Sequence, residues 1–94
     1  MLIYLFFMKF DFDKNKSLKN KEKHNIDFYE AQKLWEDPFR VEIPAKHIDE
    51  PRVLVIAKIK KIAWSAVITC RKETIRIISV RKSRENEKDI YYSK

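Results

Sequence analysis

Hydrophobic positions follow a helical spacing in the first part of the chain and a strand-like spacing from Phe39 onward. The short "KFDF" alternates charge with phenylalanine, which predicts a first strand near residues 8–12 with Phe10 and Phe12 turned inward. Asp13 can cap a helix through "KNKSLKNKEKH", whose few apolar positions make it a thin, solvated element. That helix should end at Asn25, since asparagine is the best non-glycine residue for a left-handed position after a helix. The clearest helix signal is "IDFYEAQKLWEDP": Asp27 and Glu30 form a capping-box pattern, Ile26 can staple the start, and Pro38 stops it. Phe28, Ala31, Leu34 and Trp35 then share one face, which reads as core.

Four extended runs follow: "FRVEI", "RVLVIAKIK", "IAWSAVITCRK" and "TIRIISVRK". Short connections make them antiparallel neighbours, with hairpin turns near Lys60-Lys61 and Lys72-Glu73. Both faces of the last three runs carry apolar residues, so helices should cover one face and something less complete the other. Ser83 can cap a final helix through "RENEKDIYY". The expected class is α+β: an antiparallel sheet of about four strands, two N-terminal helices and a short C-terminal helix. There are no repeats and no low-complexity linker.

The 94 residues suffice for one domain with a modest core. The opening "MLIYLFFM" is far shorter than a membrane span and has neither the basic start nor the cleavage site of a signal peptide. Met8 looks the more natural start, so residues 1–7 read as an upstream extension and 8–94 as the single domain. A formal charge of +7 makes a polyanion the first partner to consider, against the plain alternative of a soluble basic domain. Cys70 is the only cysteine, which rules out an internal disulfide and a thiolate zinc site, suits a reducing cytoplasm, and reads as buried packing. His24 and His47 lack ligand spacing, so no metal and no other cofactor is expected. The absence of glycine forces other residues into any turn that needs positive φ.

Two arginines interrupt the last strand. Arg76 lies between Ile75 and Ile77, where a charge is costly unless it is ion-paired or binds an anion. Arg81 is near the strand end, where a solvated charge is ordinary. The two have opposite parity, so a bulge or strand end near Ser79 must intervene if both serve one site. His24 is either a charged helix C-terminal cap or an acid–base group. Glu50 and Arg52 are either a local ion pair or the base and second cation of a site. His47 reads as a loop residue. Lys19, Lys21 and Lys23 form a solvated face that could also steer a polyanion. Trp64 reads as core, and Tyr91 or Tyr92 as a possible stacking partner for a base.

Taken together, "KHNIDFYEA" resembles the "KHG-[VI]-x-F-x-EA" signature of the BrnT family of toxins. "LWEDP" is similar to its "VF-x-DP" element, "EPR" to "E-x-R", and "ETIRIISVRKS" to "RIISAR". Glu87 and Tyr91 echo "E-x-x-x-Y", so the resemblance runs from about Met8 to Tyr92. Asn25 replaces the usual glycine, and one hairpin is shorter and glycine-free. The resemblance implies a RelE-like ribonuclease of a type II toxin–antitoxin system, with mRNA as substrate. It also implies a BrnA-type antitoxin as partner, through which any DNA contact would be indirect. RNA supplies its own 2′-OH nucleophile, so such a site needs cations and proton carriers rather than a metal. Arg76, Arg81, His24, Glu50 and Arg52 are the catalytic candidates, and Lys19, Lys21 and Lys23 the RNA-binding ones.

Overall fold

The computed structural model describes residues 9–45 and 50–93. The expected extension over residues 1–7 and the loop histidine His47 lie outside them. Among the described residues, five strands, three α-helices and one 3-10 helix run in the order β1 (Lys9–Asp11), α1 (Lys14–His24), α2 (Phe28–Ala31), the 3-10 helix (Gln32–Glu36), β2 (Val41–Ala45), β3 (Arg52–Ile59), β4 (Ile62–Arg71), β5 (Thr74–Lys82) and α3 (Glu85–Tyr92). The sheet order is β1-β5-β4-β3-β2.

The expectation of about four antiparallel strands is corrected in number and direction. Strands β2 to β5 form an antiparallel meander, but β1 adds a fifth strand parallel to β5, pairing Phe10 with Ile75 and Asp11 with Arg76. Hairpin reasoning could not reach this pair, because parallel neighbours need a long crossover and here α1 through β4 intervene.

Local signals placed most elements. The Asp13 carboxylate accepts the N–H groups of Asn15 and Lys16, and Asn25 takes the left-handed conformation at φ 63°. Asp27 and Glu30 make the reciprocal capping box. The helix they start is α only to Ala31 and then tightens to 3-10, a common end for a helix that must stop before proline. Phe28, Ala31, Leu34 and Trp35 are buried as the spacing required. Without glycine, the two hairpins place Lys60 (φ 59°) and Lys72 (φ 55°) in the left-handed region.

Helices α1 and α2 and the 3-10 helix cover one face of the sheet. Val55 and Ala57, Trp64, Ala66 and Ile68, and Ile75, Ile77 and Val80 form this core with them, and Phe10 packs edge-on to Trp35. Helix α1 meets the sheet through polar rather than apolar groups. Ser17 Oγ accepts the Phe28 N–H at 2.9 Å, and Asn20 donates to the carbonyls of Ile26 and Val80 at 2.8 and 2.9 Å. Burying these side chains is tolerable because they are hydrogen-bonded.

The second face is covered at one end by α3. Contrary to the expectation from the sequence, Ser83 does not cap that helix. Arg84 stands at the N-cap, its N–H held by the Glu87 carboxylate at 2.8 Å, while Ser83 Oγ shares a hydrogen bond with Ser65. Elsewhere Ile43, Leu54 and Val67 are half-buried on this face. Cys70 is exposed rather than packed, and no reactive thiolate is favoured, since partial burial and then Glu42 raise its pKa. No helix among the described residues is long and apolar enough to cross a membrane.

Candidate active site

The parity conflict between Arg76 and Arg81 is resolved by a β-bulge. Val67 pairs with Ser79 while Ile68 pairs with Ile77, so Ile78 is the extra residue on β5. Before the bulge Ile75 and Ile77 point to the core; after it Val80 does. Arg76, Ser79 and Arg81 therefore share the second face. They do not share one spot, because four residue steps of β4 separate their partners Thr69 and Ser65, roughly 13 Å along the strand.

At the Arg76 end, Arg76 pairs with Asp11 of β1, both partly exposed. Arg52 stands one step beyond the Val53–Ile68 pair, beside Thr69, so Arg52 and Arg76 flank Thr69 across roughly 10 Å. Arg52 Nε is buried and has no hydrogen-bond partner among the described residues. Glu50 does not pair with Arg52; its carboxylate takes a two-point contact from Arg71 at 3.1 and 3.2 Å.

At the Arg81 end, Glu87 binds the guanidinium through both oxygens, at 2.8 and 2.9 Å. Ser65 Oγ also donates to Glu87 at 2.8 Å. The Arg81 contact first, with the Arg84 N–H and Ser65 hydroxyl assisting, holds the Glu87 carboxyl at a pKa of about 2 against the opposing effect of burial. Arg81 is thus fixed in orientation, and only 27% of its side chain is exposed.

His24 joins this end. Asn20 clamps α1 to the backbone of Val80, and one helical turn later His24 reaches the end of β5 beside Arg81. Lys23, His24, Trp64, Arg81, Lys82 and Arg84 line an open cleft of about 510 Å³. Trp64 is 7% exposed, so it is core for most of its surface and cleft wall at its edge. Of the lysines on α1, Lys23 lines the cleft, Lys21 is engaged by Glu30 at 2.8 Å, and Lys19 is exposed.

The candidates therefore fall into two groups on one sheet. His24, Arg81 and Lys23 meet at the α1–β5 end, while Arg76, Arg52 and Glu50 gather at the other. Lys82 and Arg84 were not singled out by sequence reasoning, although the charge run "RKSR" carried the signal. Asn20 had none, since a buried clamp on a charged helix looks like another surface residue.

The family model described as the ribonuclease toxin BrnT of type II toxin–antitoxin systems matches residues 12–87. The chain belongs to the BrnT family. No curated protein matches it. Membership in BrnT implies an RNA target and a protein antitoxin. The motif residues of this BrnT chain prove to be each other's partners: Arg81 with Glu87, and Asp37 with Tyr91, whose hydroxyl donates to Asp37 at 2.6 Å. Burial, then the Asp37 carboxylate, push the Tyr91 hydroxyl well above the usual phenol range, so it stays a donor. Both pairs tie α3 to the rest of the fold.

Proposed function

We propose that this BrnT chain is a cytoplasmic, RelE-like endoribonuclease of the mRNA-interferase type that cuts single-stranded RNA without a metal. Cleavage would inhibit translation and growth until a BrnA-type antitoxin neutralises it, with any DNA association made through that antitoxin. The observation that carries the reading is the meeting of His24 and Arg81, distant in sequence, in one cationic cleft. An imidazole that can give or take a proton and a guanidinium of fixed orientation are two kinds of group that serve 2′-OH attack.

In this scheme the scissile phosphate sits against Arg81, with Lys23, Lys82 and Arg84 adding positive potential. The 2′-oxygen attacks phosphorus as its proton leaves, the bond from phosphorus to the 5′-oxygen breaks, and that oxygen takes up a proton. The products are a 2′,3′-cyclic phosphate and a 5′-hydroxyl. His24 carries one of the two protons. A cleft with this many cationic side chains repels a divalent metal ion, which supports a metal-free route. Arg52 and Arg76, on the open part of the same face, would hold backbone phosphates away from the reacting one, with Glu50 orienting the loop before β3 through Arg71. Lys19 and Lys21 would contribute to steering.

One observation favours a rival, an RNA- or protein-binding module without catalysis: both strand arginines already have carboxylate partners. The purified protein on labelled RNA separates the two. We expect cleavage that persists in EDTA, yields a cyclic phosphate and fails on 2′-deoxy substrate. His24→Gln should lower kcat by about a hundredfold or more with the melting temperature preserved. Binding without cleavage would favour the rival, and activity abolished by EDTA would overturn the mechanism.

A further inference from the structure

The guanidinium of Arg81 has five N–H groups, and three of them are engaged within the protein. Glu87 takes one from Nη1 at 2.8 Å and one from Nη2 at 2.9 Å, and Nη1 also donates to the Lys82 carbonyl at 3.3 Å. The Nε–H and the remaining Nη2–H have no protein acceptor among the described residues. In a planar guanidinium these two lie parallel along one edge, the fork that grips two oxygens of a phosphate at once. Arg81 lines the cleft that contains His24, whereas Glu87 does not, so the carboxylate holds Arg81 from outside the cleft.

Glu87 is itself held firmly. It is buried, and besides Arg81 its Oε1 accepts the Arg84 N–H and the Ser65 hydroxyl, both at 2.8 Å. Ser65 stands opposite Arg81 on β4 and gives its one hydroxyl proton to Glu87, so Ser83 is the donor in the Ser65–Ser83 contact. This chain of donors fixes the carboxylate from the sheet side, and Tyr91 bonded to Asp37 fixes the following turn of α3. An arginine side chain in water samples many rotamers; here that freedom is lost on folding rather than on binding. The neutralising carboxylate weakens the pull of Arg81 on a distant polyanion, so the pair supplies direction rather than added charge.

We infer that Glu87 is a positioning residue for RNA cleavage: backed by Ser65 and the Arg84 N–H, it aims the Nε–Nη2 edge of Arg81 at the non-bridging oxygens of the scissile phosphate. The inference rests on the reading of the cleft as an RNA site and adds which edge of Arg81 is used and which residue sets it. Negative charge on those oxygens grows as the 2′-oxygen closes on phosphorus, and two N–H donors fixed beforehand meet it without reorganising. Glu87 itself touches no reacting atom.

The test combines arginine side-chain NMR with kinetics on the full chain. In isotope-labelled wild type, a single-stranded 2′-deoxy dodecamer, which offers phosphates but no nucleophile, should shift the Arg81 Nε–H signal. The Nη signals should stay resolved, the mark of a guanidinium still gripped by a carboxylate. Glu87→Gln should lower kcat on RNA about a hundredfold, the effect of a misdirected group, with KM unchanged or lower because the arginine charge is no longer neutralised. Arg81→Lys, charged but without the fork, should lose as much, and adding Glu87→Gln to it should cost no more than roughly a further threefold. Circular dichroism sets a temperature at which each variant is folded. Should Glu87→Gln not fold, Ser65→Ala removes one donor behind the carboxylate and should lower kcat roughly fivefold at constant KM; an unchanged kcat there overturns the inference. So do about a hundredfold further loss from Glu87→Gln in the Arg81→Lys background, Nη signals that merge when the strand binds, and an unmoved Nε–H in a chain that cleaves RNA. Each of these leaves the ribonuclease reading standing. A wild type that leaves RNA uncut ends both.

Discussion

Glu87 is 6% exposed and receives donors from Arg81, Ser65 and Arg84, so its carboxylate is far better solvated by the fold than by the unfolded chain's water alone. Its pKa falls from 4.5 to about 2 on folding. A depressed carboxylate contributes stability that is complete above pH 4.5 and is lost as the pH falls toward 2. The shift corresponds to about 3 kcal/mol. Urea unfolding at neutral pH and at pH 3 should show about 2 kcal/mol of that loss in the wild type and much less in Glu87→Gln, which should already be destabilised at neutral pH because Arg81 is left without its partner. Arg76 behaves differently. Its pairing with Asp11 involves side chains 33% and 50% exposed, so Arg76→Ala should cost no more than about 1 kcal/mol of stability. If Arg76 holds a backbone phosphate, the same change should raise the KM for RNA roughly tenfold with kcat little altered. Unfolding of Arg76→Ala in melting curves would make this arginine structural.

At the scale of elements, the bulge in β5 decides what the strand can present. Were Ile78 paired as a regular strand residue instead of bulging out, alternation would send one of the two arginines into the helix-covered core. Because Ile78 pairs with nothing on β4, deleting it keeps Ile77 opposite Ile68 and Ser79 opposite Val67, and every side chain stays on its face. We expect the Ile78 deletion to unfold cooperatively, whereas deletion of Ala66 from the unbulged partner strand should abolish a cooperative melt. Circular dichroism melts compare the two. Helix α1 makes the complementary point. Its sequence reads as solvated charge, and the residues that seat it are Ser17 and Asn20, whose hydrogen bonds to Phe28, Ile26 and Val80 set the distance from His24 to β5.

For the whole molecule, a charge of +7 is spread over a sheet whose α1–β5 end gathers Lys23, Arg81, Lys82 and Arg84 around one cleft. If RNA binds there, cations are released from its backbone, and the logarithm of the binding constant should fall linearly with the logarithm of salt concentration. For about four phosphates contacted the slope is roughly −3. Anisotropy titrations from low to moderate salt measure it, and a slope near zero would remove the polyanion from consideration.

Much of this architecture was written locally. Capping by Asp13 and Asp27, the left-handed Asn25, the glycine-free turns at Lys60-Lys61 and Lys72-Glu73, and the limits of β5 follow from interactions within a few residues, so the sequence alone determined them. The need for a bulge near Ser79 was also legible, because two-residue periodicity is strict and the arginines violate it. Pairings between distant segments were not legible. The parallel docking of β1 on β5, the exchange of Glu50 from Arg52 to Arg71, and the exposure of Cys70 depend on which edges remain free once the meander has formed. The division of the candidate residues into two groups was decided there too: positions 76 and 81 are neighbours in sequence, yet a strand carries each further step some 3.3 Å away, while a helix clamped across the sheet by Asn20 brings position 24 to the end of the strand.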